Sequence, residues 1–397
     1  MATDYFGKSV ELHRRLKGKI SIEPKVKVKS SEDLSLVYTP GVAQPCKDIA
    51  ANPKLVYDYT MKGNSVAVVS DGSAVLGLGN IGARAAIPVM EGKALLFKEF
   101  AGIDAFPICL DTQDPEKIVE VVKAIAPVFG GINLEDISAP KCFFVEESLQ
   151  ELGIPVMHDD QHGTAIVVLA GLLNAAKAVG KPLDAMKIVI SGSGAAGTAI
   201  ARILSCYGDF DYTCKSAADV IVVDSKGIVV TGRPDLTHAK LELSTHTNKR
   251  KVSGTLDKAL VGADVFIGVS AAGVLKGHHV KLMAKNPIVF ALANPVPEIM
   301  PDEAKAAGAR IVATGRSDFP NQVNNALAFP GVFRGALDAK AVRITDGMKV
   351  AAAHAIAACV KNPSADKIIP PVLDKSVARK VAEAVKAAAV KEGVVRH

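Results

Sequence analysis

The sequence predicts an α/β protein: a doubly wound parallel sheet, with a smaller α/β unit ahead of it. Three observations carry that expectation. Short β-branched runs alternate with stretches of helical spacing from about residue 65 to 313. These runs are apolar throughout, as strands covered on both faces must be. The chain has 397 residues, 49% of them hydrophobic but only 5% aromatic, with no Trp. Small side chains therefore fill the interior, and the length calls for two domains rather than one core.

Taken in order, residues 8–17 read as a helix and are followed by a basic extended stretch. Residues 65–70 form a strand ending at the turn Asp71-Gly72, and 105–110 form another. Residues 115–125 have helical spacing. The runs 142–145 and 154–157 read as short strands. The long apolar stretch 164–179 is a helix stopped by Gly180 and Pro182. Strands follow at 187–190, 220–223, 265–269, 288–292 and 310–313, with a helix at 198–204. Residues 345–390 are Ala-rich helices, broken near Asn362-Pro363 and Pro370-Pro371. The pattern changes near residue 160. The expected division is 1–160 as an N-terminal catalytic domain, 161–385 as a dinucleotide domain, and 386–397 as a helical tail.

The net charge of +6 comes from 47 basic and 41 acidic residues. Its basic runs (14–19, 25–29 and 249–251) carry no interleaved stacking aromatics, which argues against a nucleic-acid partner. A field that draws in a small dianion is the simpler use. Six cysteines form no C-x-x-C and no zinc-finger spacing, and they read as small buried residues in a reducing compartment. No apolar run reaches membrane-spanning length and the N-terminus has no signal-like apolar stretch, so the expectation is a cytoplasmic protein with no membrane partner.

Two stretches match G-x-G-x-x-G. One is Gly77-Leu78-Gly79-Asn80-Ile81-Gly82; the other is Gly192-Ser193-Gly194-Ala195-Ala196-Gly197. Context separates them. The second directly follows a β-branched strand and opens a helix, so its N–H groups can meet a pyrophosphate in a Rossmann-type unit. The next strand ends at Asp224, placed to bond a ribose hydroxyl. The first match follows a turn, and its helix soon meets Pro88 and Gly92. It is expected to form a wall of the active site.

Three polar groups remain. Lys93 lies in an apolar segment, where burial would lower its pKa and suit a general base. Glu135-Asp136 and His158-Asp159-Asp160-Gln161-His162 offer carboxylates from separate loops, an oxygen set for Mg²⁺ or Mn²⁺. A zinc site is disfavoured, because His158 and His162 flank two aspartates without the Glu of H-E-x-x-H. Asn294-Pro295 and Asn324-Asn325 offer carboxamides beside a cofactor.

Together these stretches resemble the malic enzyme family, in its compact prokaryotic form. The match rests on Tyr38-Thr39-Pro40-Gly41-Val42-Ala43, Ser70-Asp71-Gly72, the first glycine turn, Pro88-Val89-Met90-Glu91-Gly92-Lys93 and Glu135-Asp136. It continues through His158 to Ala165, the second glycine turn, Ala293-Asn294-Pro295 and Gln322-Val323-Asn324-Asn325. The resemblance implies oxidative decarboxylation of L-malate to pyruvate and CO₂ with reduction of NAD⁺ or NADP⁺, and decarboxylation of oxaloacetate as a companion activity. By the same resemblance Lys93 is the base, Asp159 tunes it, and Tyr38 is the acid that protonates the enolpyruvate carbon. Glu135, Asp136 and Asp160 hold the divalent metal; Asn294 and Asn325 contact malate. It also implies a homodimer, with Tyr38 or Lys93 completing a neighbour's site. Asp224 favours NAD and Lys226 favours NADP; the acid tips the reading to NAD.

One departure stands out. Larger members carry an Arg after Asp-Gly, where this chain has Ser73-Ala74-Val75. Another cation must then meet the substrate carboxylate, with Arg14, Arg15 and Arg84 as candidates. Two rival readings weigh less: a hydroxy-acid dehydrogenase without decarboxylation needs no metal carboxylates, and a non-catalytic dinucleotide sensor needs neither Lys93 nor Tyr38.

Overall fold

The computed structural model describes residues 4–75, 77–208 and 215–396. Two parallel sheets organise it. The first comprises β1 (Ser65–Ser70), β2 (Asp104–Cys109), β3 (Gly131–Leu134) and β4 (Val156–His158), in the order β2-β1-β3-β4. The second comprises β5 (Lys187–Ser191), β6 (Asp219–Asp224), β7 (Gly227–Ile228), β8 (Val265–Gly268), β9 (Ile288–Ala291) and β10 (Ile311–Thr314). Its order is β10-β9-β8-β5-β6-β7, and only β7 runs antiparallel. In both sheets the first strand pairs on each side with strands of diverging connections. The carboxyl ends of β1 and β5 therefore sit at topological switch points, where open α/β sheets bind ligands.

The helix Asp159–Val179 joins the two units. By composition and length it could cross a membrane, but 14 of its 21 residues are buried inside the protein. Its apolar face belongs to one continuous core that takes in Val66 and Val68 of the first sheet and Ile188, Ile190 and Phe290 of the second. Asn174, fully buried on this helix, donates to Ala357 O (2.9 Å) and Ile368 O (3.0 Å), fixing it against the helix Asp346–Ala358. The helix Phe329–Asp338 closes over the helix Gly82–Ala101, with Phe97 meeting Phe329 and Phe333 edge-on at 4.7 and 5.5 Å.

Four expectations about elements need correction. Residues 142–145 lie in a helix, Lys141–Glu147, that buries Cys142, Val145 and Glu146 and leaves Phe144 exposed. A four-residue apolar run does not distinguish strand from helix, and the i, i+3 burial shows which one formed. The long helix starts at Asp159 rather than 164, because two aspartates in a first turn favour the helix dipole. Pro88 and Gly92 do not interrupt the helix Gly82–Ala101, which runs 20 residues through both. The helix Ser376–Lys391 crosses residue 386 without a break, and Val342 N bonds Val394 O beyond it, so the last residues pack into the fold. The stretch 206–218, expected as an inserted loop, lies partly outside the described residues; Cys214 is among those omitted. Of the cysteines that are free, Cys142 is buried and Cys46 is exposed.

Asn174→Ala takes the side-chain donor from the Ile368 carbonyl, while Ala357 O keeps the Val360 N–H at 3.1 Å, and is expected to cost about 1–2 kcal/mol. A urea unfolding midpoint equal to wild type would show that Asn174 is not the clasp described.

Candidate active site

The site forms where the carboxyl ends of β1, β3 and β4 converge. Asp71 follows β1, Glu135 and Asp136 follow β3, and Asp159 and Asp160 follow β4 as the first turn of the long helix. Lys93 projects into this group from the helix Gly82–Ala101. Its ammonium lies 2.6 Å from Asp159 Oδ2 and 2.9 Å from Glu135 Oε1, and 4.3 Å above the Phe329 ring. Asn325 donates to the same Asp159 oxygen at 2.6 Å, and Asn133 holds the far oxygen of Glu135 at 2.9 Å. Asp159 is 0% exposed, and its Oδ1 has no hydrogen-bond partner among the described residues. A Cβ at Gly163 would stand 1.8 Å from that oxygen, so glycine on the next helical turn is what admits the carboxylate.

Burial sets the protonation of this cluster. It pushes the Glu135 and Asp159 carboxyls up to about 7, and Asp160 to about 6, against the pull of the Lys93 ammonium. For Lys93 burial acts in the opposite direction, but the charges of Asp159, Glu135 and Asp160 outweigh it. Its pKa is raised above the ordinary lysine range. The expectation of a lysine lowered by apolar neighbours is thus overturned: its nearest neighbours are carboxylates, brought from elsewhere in the chain.

Oxygens of Glu135, Asp136 and Asp160 lie within 4.8 Å of one another. Asp136 takes a left-handed φ of 53°, and its N–H donates to Asp160 Oδ2 at 2.8 Å. This all-oxygen set, costly to bury as anions, fits a Mg²⁺- or Mn²⁺-sized cation. Beneath it, Glu146 accepts from His158 N, Gln161 and His162 at 2.9–3.0 Å. His162 and the other nearby cations overcome burial and hold its carboxyl down to about 2. His158 and His162 are lowered by burial. They sit below the carboxylates as supports.

A second group, Asp257, His278 and His279, also brings ligand atoms within 4.8 Å. Here the Lys276 N–H donates to His279 Nδ1 at 3.0 Å, which commits the ring proton to Nε2, facing Asp257 at 3.4 Å. That is a hydrogen-bonded clip between two short helices, with no lone pair left for a metal on His279.

The second glycine turn has the geometry a dinucleotide needs. A Cβ at Gly197 would meet Gly192 O at 1.9 Å, so the turn closes tightly, whereas one at Gly194 would meet nothing within 4 Å. The open side faces the N-terminus of the helix Ala195–Ser205, with Ser193, Ala195 and Ala196 around it. Asp224, at the end of β6, is saturated: Lys226 N, Arg233 and Lys240 donate to its two oxygens at 2.5–2.9 Å. These donors outweigh burial and hold its carboxyl far below the usual range. The first glycine turn packs against the other unit, since a Cβ at Gly77 would strike Asn294 O at 2.3 Å. Asn294 is exposed there, its side chain bonded to Leu292 O at 3.3 Å.

Tyr38 is not part of this assembly. It caps the helix Ser31–Val37, is 67% exposed, and is not among the hydrogen-bond partners of Lys93 or Asp159. Arg84 is exposed on the helix face opposite Lys93, and Arg14 and Arg15 are exposed on the helix Tyr5–Leu16. Lys141 forms an ion pair with the buried carboxylate of Asp71, two residues before Ser73. Asp71 in turn accepts from Ser73 Oγ at 2.6 Å. Sequence reasoning missed Lys141, Asn133 and Phe329; their partners lie far away in the chain or carry no motif.

Comparison with known proteins decides the family. The model for the malic enzyme N-terminal domain matches residues 17–150, and that for the malic enzyme NAD-binding domain matches residues 161–390. The chain belongs to the malic enzyme family. It is 57% identical to a bifunctional malic/malolactic enzyme of Bacillus subtilis, covering 98% of this chain and 94% of that one. It is 45% identical to an NADP-dependent malic enzyme of Halomonas elongata, covering 100% and 94%. The crystal structure of the NAD-dependent malic enzyme of Thermotoga maritima superposes with a TM-score of 0.91 at 51% identity, covering 95% and 98%.

The carboxyl pKa values lie above those of an unfolded chain, so folding takes up protons. Metal-free protein should therefore lose stability as pH rises from the ordinary carboxylate range to about 7. Metal binding competes with those protons. The rise in melting temperature on adding Mn²⁺ is expected to be larger at about pH 7.5 than at about pH 5.5; equal rises would contradict the cluster as a metal site.

Proposed function

We propose that this malic enzyme family member oxidises L-malate and decarboxylates the product to pyruvate, with a nicotinamide dinucleotide as hydride acceptor and Mg²⁺ or Mn²⁺ bound. The observation that carries the reading is Lys93, buried between Asp159 and Glu135 beside three convergent carboxylates. Glu135, Asp136 and Asp160 would hold the cation, which as a Lewis acid stabilises negative charge on the substrate oxygen. The glycine turn 192–197 would seat the cofactor, whose chemistry is the hydride transfer itself.

The chain's own residues then divide the proton work. Lys93 acts as a base only as the neutral amine, so its proton must rest on a neighbour. A divalent cation on Glu135, Asp136 and Asp160 would offset the carboxylate charges that raise Lys93, and Asp159, 2.6 Å away, is the acceptor in reach. Lys93 takes the malate hydroxyl proton, and Asn325, anchored on Asp159, positions both against substrate. Asn294 would be a second malate contact. Tyr38 protonates C3 of the enol form of pyruvate.

Tyr38 reaches the site only from another copy. None of the helices between Tyr5 and Tyr59 has a buried residue in the single chain, and Phe6, Ile22, Leu36 and Tyr38 are all more than 60% exposed. An apolar stretch of this extent is what a homodimer covers. Mixing inactive Tyr38→Phe with inactive Lys93→Ala tests this. Shared sites should restore about a quarter of wild-type activity, since half the dimers are mixed and each has one intact site. No restoration would put both residues in one subunit's site.

For the cofactor, NAD is used and NADP is accepted. Arg233 and Lys240 compensate the charge of Asp224, so it repels a 2′-phosphate only weakly. The assay is absorbance at the nicotinamide band with malate, Mn²⁺ and each cofactor in turn. Expected is turnover with both and a preference for NAD within about tenfold in kcat/KM; no turnover with either would sink the reading.

A further inference from the structure

The long helix that begins at the active site ends in a cavity assigned no role by the chemistry above. This cavity of about 870 Å³ lies among four helices, remote from the Lys93 cluster. Its size falls within the range of small-molecule sites. The floor is apolar: Leu169 and Leu173 from the long helix, Ile203, Val350, and Ala384 and Ala388 from the helix Ser376–Lys391. The rim is cationic. It carries four lysines against the two carboxylates of Asp184 and Glu392. One of the four, Lys181, is taken up by Asp264 at 2.5 Å. Lys177 and Lys391 have no ion-pair partner among the described residues, and the charge of Lys177 adds to burial in lowering the nearby His354. An apolar floor under unpaired ammonium groups complements one kind of ligand, an organic anion with a hydrocarbon body.

The cavity is also tied to the chemistry. The long helix runs about 30 Å from Asp159 and Asp160 in its first turn to Lys177 in its last. The helix Asp346–Ala358, which supplies Val350, Ala351 and His354 to the cavity, has Asp346 and Lys349 in its first turn. That helix is clasped to the long helix by Asn174, which donates to Ala357 O at 2.9 Å.

We propose that this cavity binds an amphipathic monocarboxylate, tail inward and carboxylate on Lys177 and Lys391, and that its occupancy is felt at the malate site through these two helices. The ligand and site go beyond the proposed reaction and stand whether or not the cofactor reading does.

The test uses the full-length protein with NAD⁺ and Mn²⁺ saturating, so that the dinucleotide cleft is filled. The reporter is anilinonaphthalene sulfonate fluorescence, and the competitor is octanoate. Octanoate should displace the dye from wild type. Ala351→Phe, which fills the cavity, should abolish dye binding, and Lys177→Glu should weaken octanoate by about tenfold. Lys177→Glu is a surface change and serves if Ala351→Phe does not fold. Octanoate should also shift the malate KM of wild type by about twofold or more, and of Lys177→Glu much less. Equal dye binding and displacement in all three proteins overturns the site. An unchanged malate KM under saturating octanoate overturns the coupling.

Discussion

Four carboxylates, three of them buried and Asp160 half-buried, crowd one ammonium at the ends of three parallel strands, and much of the surrounding architecture serves to make that tolerable. Burying several like charges is among the costliest things a fold can do. Lys93 offsets part of it by lying between Asp159 and Glu135, at 2.6 and 2.9 Å. Asn133 and Asn325 supply neutral donors to the same two carboxylates. The remaining imbalance shows as carboxyl groups lifted to between about 6 and 7. A divalent cation would resolve it, which would make metal affinity and protonation two views of one constraint.

That constraint explains choices that otherwise look arbitrary. A glycine inside a core helix is normally a weakness. Gly163 is there because any side chain would occupy the place of Asp159 Oδ1. The aspartates begin the helix Asp159–Val179, where its dipole favours negative charge, and the same helix then forms the spine between the two sheets. The candidate site carboxylates and the core are thus carried by one helix.

The legible parts of the sequence were the local ones. Glycine turns, β-branched strands and adjacent acids announce themselves within a few residues, and the doubly wound sheet followed from them. Long-range contacts did not. Asn325 and Asp159 are 166 residues apart, and the Phe329 ring under Lys93 looks in sequence like any core aromatic. Lys93 was legible as a candidate base, but its local apolar setting gave the wrong direction for its pKa, because the deciding charges come from β3 and β4. Residues 142–145 misled for a related reason, since burial on one helix face looks like a short strand when the run is four residues long. Tyr38 is legible as a motif, yet in the single chain it is 67% exposed.

The central claim is that Lys93, held by Asp159 and Glu135, removes the malate hydroxyl proton. It is tested most directly by comparing malate oxidation in wild type and Lys93→Ala, with cofactor binding measured separately by nicotinamide fluorescence. The account predicts a loss in kcat of about 10²–10⁴ with cofactor affinity nearly unchanged. Malate oxidation within a few-fold of wild type in Lys93→Ala would contradict it.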